Sequence, residues 1–266
     1  MTPSGRPYRE VAEALRTLIA DGPWRAGDRI MTERQLADRL GIGRALVREA
    51  VIMLEVEGML EARRGSGIYL LRPAGPGPAG SAGDIGPFEL LQARQVLESA
   101  VAAQAALGVT KADIRRMQAA LDQERAEIDA EIDAGPDTGT DHAASHAADR
   151  LFHRLIAEAT QNAALVDAVD RLWAQRDASP MWARLHARIG STDYRRRWSD
   201  DHGLILASLQ RKDADGARRR MWQHLDNVRH TLLALTDPEE PGFDAFLFPT
   251  PAPIHAGVPA PRRQEG

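Results

Sequence analysis

Thr32-Glu33-Arg34-Gln35-Leu36-Ala37-Asp38-Arg39-Leu40-Gly41-Ile42-Gly43-Arg44-Ala45-Leu46-Val47-Arg48-Glu49-Ala50-Val51 is the stretch that decides the fold. Glu33–Leu40 reads as a short helix, and Gly41 just past it supplies a left-handed C-terminal position without Cβ strain. Gly43 stands where an N-cap belongs, although Ser or Thr would cap better. A second helix follows over Arg44–Glu57, in which Leu46 or Val47, Ala50, Val51 and Leu54 recur at the spacing of one buried face. Its opposite face carries Arg44, Ala45, Arg48 and Glu49. Two arginines four apart project from the same side, next to a helix N-terminus whose partial charge suits phosphate. Gly58 ends this helix. Leu60–Arg63 and Ile68–Leu71 then bracket a Gly-Ser-Gly turn, a hairpin signal with Arg63 and Arg64 at its tip. Helix, tight turn, helix and wing is a winged helix-turn-helix, and it makes double-stranded DNA the expected partner.

Working outward, the 266 residues leave room for one small and one larger domain. The absence of cysteine excludes disulfides and thiolate metal sites. Met-Thr-Pro-Ser-Gly-Arg at the start is no apolar leader, and no run approaches the roughly 20 apolar residues of a membrane span, so a cytoplasmic protein is expected. Residues 1–72 hold 12 arginines against 10 acidic residues, whereas the remainder holds 22 basic against 28 acidic residues. DNA affinity must therefore come from placed arginines rather than from bulk charge.

Residues 73–86, rich in proline and glycine, read as a linker. Beyond it, helices are expected over Pro87–Leu107, Lys111–Asp133, His146–Thr160, Ala163–Arg188, Asp193–Gln210 and Asp213–Leu235. The fold class is thus mainly α: a winged helix-turn-helix of three helices and a small β wing over 1–72, joined to an all-α bundle over 87–236. Residues 237–266 form an irregular tail in which Phe243–Phe248 is apolar enough to pack back on the bundle or a partner subunit.

One constellation in the bundle carries chemistry. Asp149 and His153 are spaced i, i+4 and share a helix face, and His202 and His224 lie on two later helices. Three imidazoles and a carboxylate that converge would make a divalent metal site, but by spacing alone a histidine on a mixed face is more often a hydrogen-bonded structural residue. By the same standard Arg94 is a surface residue paired with Glu98, Asn162 a helix cap, and His146 exposed. Arg195-Arg196-Arg197 and Arg218-Arg219-Arg220 read as solvated helix faces, and Trp173, Trp182, Trp198 and Trp222 as filling for the core or a dimer seam. Glu158 and Asp170 are ordinary helix-face acids. With no clear general base that is not itself a candidate ligand, a metal-dependent enzyme fused to a DNA-binding module is the disfavoured alternative, and no enzyme activity is expected.

Trp24–Ile30, Thr32–Ala37, Val47–Ala50, Leu54-Glu55-x-Glu57-Gly58 and Gly65-x-Gly67-x-Tyr69 together resemble the GntR family of bacterial transcription regulators. The resemblance implies that Arg34, Arg44 and Arg48 contact DNA and that Arg64 and Gly65 of the wing approach the minor groove of a palindromic operator bound by a homodimer. There are two departures: Met31 replaces a usual proline, which predicts a looser helix start, and Gly43 replaces a usual serine, which removes a hydroxyl. Residues 87–235 resemble the FCD effector domain of the FadR subgroup, whose pattern is Asp-x3-His on one helix and a single histidine on each of two later ones. That resemblance implies a divalent metal on Asp149, His153, His202 and His224, zinc first, with nickel, manganese, iron or cobalt as alternatives. It also implies a small carboxylate effector assisted by Arg94. Arg6–Val11, Gly86–Arg94, Ser179–Trp182, Met221–Val228 and Phe243–Phe248 further resemble the UxuR/ExuR branch, which implies a repressor of hexuronate breakdown released by a sugar acid. The alternative is the same kind of regulator answering to lactate, malonate, gluconate or another acid.

Overall fold

The computed structural model describes residues 7–63, 66–73, 85–134, 143–186 and 193–235. Wing residues Arg64 and Gly65, His142, most of the linker, and Phe243–Phe248 lie outside the described residues.

The winged unit consists of α1 (Pro7–Ala20), α2 (Glu33–Leu40), α3 (Arg44–Val56), β1 (Leu60–Arg63) and β2 (Gly67–Leu70). Helix α1 packs on α3 and buries Tyr8, Ala12, Leu15 and Ile19. Helix α2 begins with a complete capping box: the Thr32 hydroxyl accepts from the Gln35 N–H, and Gln35 Oε1 accepts from the Thr32 N–H at 2.9 Å. Two otherwise orphaned donors are thereby satisfied, so the looser start expected from Met31 is not seen. Gly41 closes α2 at φ 66°, and Gly43 precedes α3 without a side-chain cap. The strands pair antiparallel from Leu60↔Leu70 to Arg63↔Gly67, and Ile30 adds an N–H bond to the Ile68 carbonyl at 2.8 Å.

The second unit contains α4 (Pro87–Gly108), α5 (Lys111–Ala134), α6 (Ala143–Glu158), α7 (Ala163–Asp177), α8 (Pro180–His186), α9 (Asp193–Gln210) and α10 (Ala214–Leu235). Helix α4 is the hub: α10 runs along it, and α6, α7 and α9 also pack on it, while α5 lies against α6 and α9. The single helix expected over Ala163–Arg188 is two. Pro180 cannot donate a backbone hydrogen bond, and the Ser179 hydroxyl accepts the Trp182 N–H at 3.2 Å to start α8 afresh. Asn162 caps α7 by accepting from the N–H groups of Ala164 and Leu165.

The polar face of α3 is not open, contrary to the expectation from its periodicity. Ala45, Arg48 and Glu49 are 5%, 2% and 0% exposed, because α8, α4 and the end of α10 lie against this side. Arg48 Nη1 donates to the Leu233 carbonyl at 2.8 Å, and its Nη2 pairs with Glu33 at 2.6 Å. Glu49 Oε1 accepts from the Phe88 N–H at 2.7 Å, which caps α4 where Gly86 has no side chain to offer. A Cβ on Gly86 would sit 2.5 Å from that same oxygen, so glycine is what admits the carboxyl. Burial outweighs these backbone donors and pushes the Glu49 carboxyl up to about 8. Arg184 of α8 reaches Glu55 of α3 at 3.2 Å. The buried apolar residues of the two units form one continuous cluster.

Candidate metal and effector site

Five helices converge on the bundle's polar centre. Asp149 and His153 come from consecutive turns of α6, His202 from the middle of α9, and His224 from the middle of α10. Each is placed by apolar neighbours on its own helix: Phe152 and Ile156 on α6, Ile205 and Leu206 on α9, and Met221 and Leu225 on α10 are buried and hold these faces inward. The Nε2 atoms of His153 and His202 are 3.3 Å apart, and those of His202 and His224 3.2 Å. Asp149 Oδ1 lies 3.5 Å and 3.7 Å from the first two. Bonds of about 2.0–2.1 Å at tetrahedral angles put neighbouring nitrogen ligands about 3.3 Å apart, so the donor set and its spacing fit a divalent transition ion.

Carboxylates stand behind the imidazoles. Glu98 on α4 bonds His153 Nδ1, Glu124 on α5 bonds His202 Nδ1 at 2.8 Å, and Asp201 lies 3.6 Å from His224 Nδ1, beyond hydrogen-bond length. Asp201 is itself held by the Asn227 amide at 2.8 Å. A carboxylate on Nδ1 fixes the tautomer that keeps the hydrogen there and leaves the Nε2 lone pair for the centre. Burial opposes ionisation of Glu98, but Arg94 and His153 outweigh it and hold the carboxyl at about 2. Burial also opposes ionisation of Asp149, yet His153, His202 and Arg176 keep it well below the usual carboxylate range. His202 is disfavoured as a cation by burial, but Glu124 and Asp149 raise it, whereas burial and the neighbouring His202 push His224 down to about 3. The surrounding carboxylates thus favour one positive charge at the centre and the crowding of imidazoles disfavours a second.

A cavity opens beside this cluster, with about 470 Å³ of space not filled by atoms, counting its open side. Arg94, Asp149, Arg176, Trp182, Arg195 and Trp198 are among its walls. Arg94 is 3% exposed, not at the surface: its Nε donates to Glu98 at 2.7 Å and its guanidinium stacks 4.0 Å from the Trp173 ring centre. Arg195 departs from the solvated face expected for its run, being 4% exposed and paired with Glu131 at 2.5 Å. His146 is half-buried rather than exposed, and its Nε2 accepts from Arg195 Nη2 at 3.0 Å. Arg218, Arg219 and Arg220 are exposed.

The candidate DNA residues are brought together less closely. Arg34 is exposed on α2 and Arg44 is half-buried at the start of α3, while Arg48 is withdrawn into the seam between the units. Arg63 at the wing lies 4.2 Å over the Tyr69 ring and pairs with Glu61 at 2.7 Å. Periodicity does not single out Glu98, Glu124 or Asp201 as orienting groups. Glu98 had a signal, its i, i+4 spacing from Arg94, and Asp201 adjoins His202 although it serves His224; Glu124 had none.

Comparison with known proteins agrees with both units. Residues 7–70 match the model of bacterial regulatory proteins of the gntR family, and residues 89–227 match the FCD domain. The chain is 42% identical to the Uxu operon regulator of Haemophilus influenzae, over 95% of this chain and 91% of that protein. It is also 42% identical to the Uxu operon transcriptional regulator of Escherichia coli K12, over 93% and 95%. With the Exu regulon transcriptional regulator of the same organism it shares 39% identity over 96% of each chain.

Proposed function

The chain belongs to the gntR family of bacterial regulatory proteins, a DNA-binding transcriptional regulator with an FCD domain and not an enzyme, and from that premise we propose that it represses genes of hexuronate breakdown. A homodimer in the cytoplasm would place two copies of α3 in successive major grooves of a palindromic operator. Arg44 and Arg48 would read base edges, Arg34 would grip the backbone or an adjacent base, and Arg64 with Gly65 would approach the minor groove. Release would follow when a sugar acid occupies the bundle cavity. The observation that carries this reading is the arginine-walled cavity next to the histidine cluster, in a chain that matches the Uxu and Exu regulators nearly end to end.

Asp149, His153, His202 and His224 are the residues that would hold a divalent ion, with zinc first and nickel, manganese, iron or cobalt as alternatives. When bound, such an ion offers open coordination positions to a carboxylate or hydroxyl oxygen. Arg94, anchored through Nε by Glu98, presents a fixed fork for the acid's carboxylate. The buried seam supplies the switch: Arg48 meets DNA only after leaving Glu33 and Leu233, so the conformer described here is one that withholds a reading residue. An effector that binds this conformer more tightly than the DNA-bound one shifts the population away from the operator.

The test is operator binding by fluorescence anisotropy, with metal content measured alongside. Glucuronate, galacturonate or their keto-acid products should weaken binding by the wild type and leave His202→Ala on the operator with depleted metal. At about 100 times its dissociation constant the effector should add roughly 2.7 kcal/mol of stability to the wild type. Release by lactate, malonate or gluconate in place of every uronate overturns the hexuronate assignment. Release that persists undiminished in metal-depleted His202→Ala overturns the site.

A further inference from the structure

The cavity wall sorts its hydrogen-bonding groups in an informative way. Arg94 and Arg195 are each tied to a buried glutamate, Glu98 and Glu131. Arg176 is also buried, at 5% exposure, but its ion-pair partner among the described residues is Asp177, 3.2 Å away with a side chain 42% exposed. Arg176 Nε is buried and donates to nothing among the described residues. The same holds for the indole N–H groups of Trp182 and Trp198, and all three residues line the one cavity. Asp149 attracts Arg176 from nearby, but Asp149 belongs to the ligand set at the histidines.

Buried donors without acceptors are costly. On this cavity His224 Nδ1 also lacks a hydrogen bond, but Asp201 stands 3.6 Å behind it, which leaves Arg176 Nε and the two indole N–H groups to be explained together. All three are donors and none is an acceptor, so what satisfies them is rich in acceptor oxygens. The groups are also rigid. The Arg176 guanidinium lies 4.8 Å from the Trp173 ring centre and 5.0 Å from that of Trp182, which limits the directions in which its fork can point. Trp198 is packed edge-on to Tyr194 at 4.5 Å. A wall of this kind discriminates by leaving donors unpaired when a poorer ligand enters.

We infer that Arg176, Trp182 and Trp198 form a specificity subsite that selects hydroxylated acids over simple carboxylates, by donating to ligand oxygens other than those held at Arg94 and the histidines. This rests on the effector reading proposed above and extends it: Arg94 and the histidine cluster receive any small acid, and the Arg176 subsite asks whether that acid carries further oxygens.

Titration calorimetry on the full-length protein tests it, with galacturonate and glucuronate as hydroxylated probes and lactate as the small one. Trp198→Phe and Trp182→Phe remove the indole N–H together with part of the ring, a loss of volume that uronate and lactate feel alike; Arg176→Gln removes the charge. Each is expected to weaken uronate binding about tenfold while lactate binding changes less than twofold, with metal content unchanged. Equal losses for uronate and lactate in all three variants, or none for either, overturn the subsite and leave the function reading intact. A wild type that binds lactate but neither uronate overturns the function reading, and the subsite falls with it.

Discussion

In the bundle, Asp149, His153, His202 and His224 turn inward from three helices and meet, whereas in the winged unit Arg34, Arg44 and Arg48 divide between solvent, the helix start and the seam. Both sets sit on faces legible from helical spacing. The difference lies in what completes them. The histidine cluster is closed by its own chain, since carboxylates from α4 and α5 and from α9 itself back the imidazoles. The arginine face, which on the proposed reading is completed by DNA, is instead satisfied locally: Arg48 takes Glu33 and a backbone carbonyl, and Glu49 takes the start of α4. A site finished by folding is fixed, whereas under the proposed reading the arginine face exchanges these local partners for DNA.

The largest effect expected from this contrast is at Arg48. Arg48→Ala removes the buried guanidinium from Glu33 and from the Leu233 carbonyl, and breaking a buried pair costs about 3–5 kcal/mol. Urea unfolding should show that loss together with loss of operator binding. Arg34→Ala, at an exposed position, should lose operator affinity with less than about 0.5 kcal/mol of stability. Similar unfolding midpoints for the two variants would show that the buried Arg48 pair adds no stability to the seam.

Next in size is the pH dependence of the seam. Glu49 titrates near 4.5 in an unfolded chain and about 8 when buried, so it binds its proton more tightly in the folded state. Its contribution to stability is therefore complete below pH 4.5 and is lost progressively as pH rises through about 8, with a slope of at most about 1.4 kcal/mol per pH unit. Glu49→Gln keeps an oxygen for the Phe88 N–H and should remove this component. Unfolding series at pH 5 to 8 should show the wild type losing ground to the variant as pH rises; a constant difference would detach the carboxyl from the seam.

The smallest effect sharpens the DNA side alone. Gly43→Ser supplies the missing hydroxyl at the α3 N-cap and should stabilise by a few tenths of a kcal/mol, read as a small rise in melting temperature. A tighter operator complex with an unchanged melting temperature would instead assign the hydroxyl to phosphate contact.

Particular residues show why some features were legible and others were not. The winged unit could be read because its signals are local: Gly41 and Gly43 around a tight turn, Gly58 after α3, and a Gly-Ser-Gly turn between short strands. The break at Pro180 was legible in principle, since proline rarely continues a helix, but the apolar periodicity on both sides masked it. Glu124 had no signal because it meets His202 from 78 residues away. Arg195 and His146 read as exposed from the sequence and are covered in the fold, because a helix face does not announce which neighbour will pack on it.

The winged helix-turn-helix, the all-helical second unit and the i, i+4 pairing of Asp149 with His153 were legible in the sequence, since each rests on periodicity and turn chemistry inside single elements. Only the packing of remote elements brings the histidines together, sets Glu98, Glu124 and Asp201 behind them, and folds the polar face of α3 into a seam with Gly86, Arg184 and Leu233. Those are distances between elements remote in the chain, fixed by how whole faces pack and by the need of every buried charge for a partner.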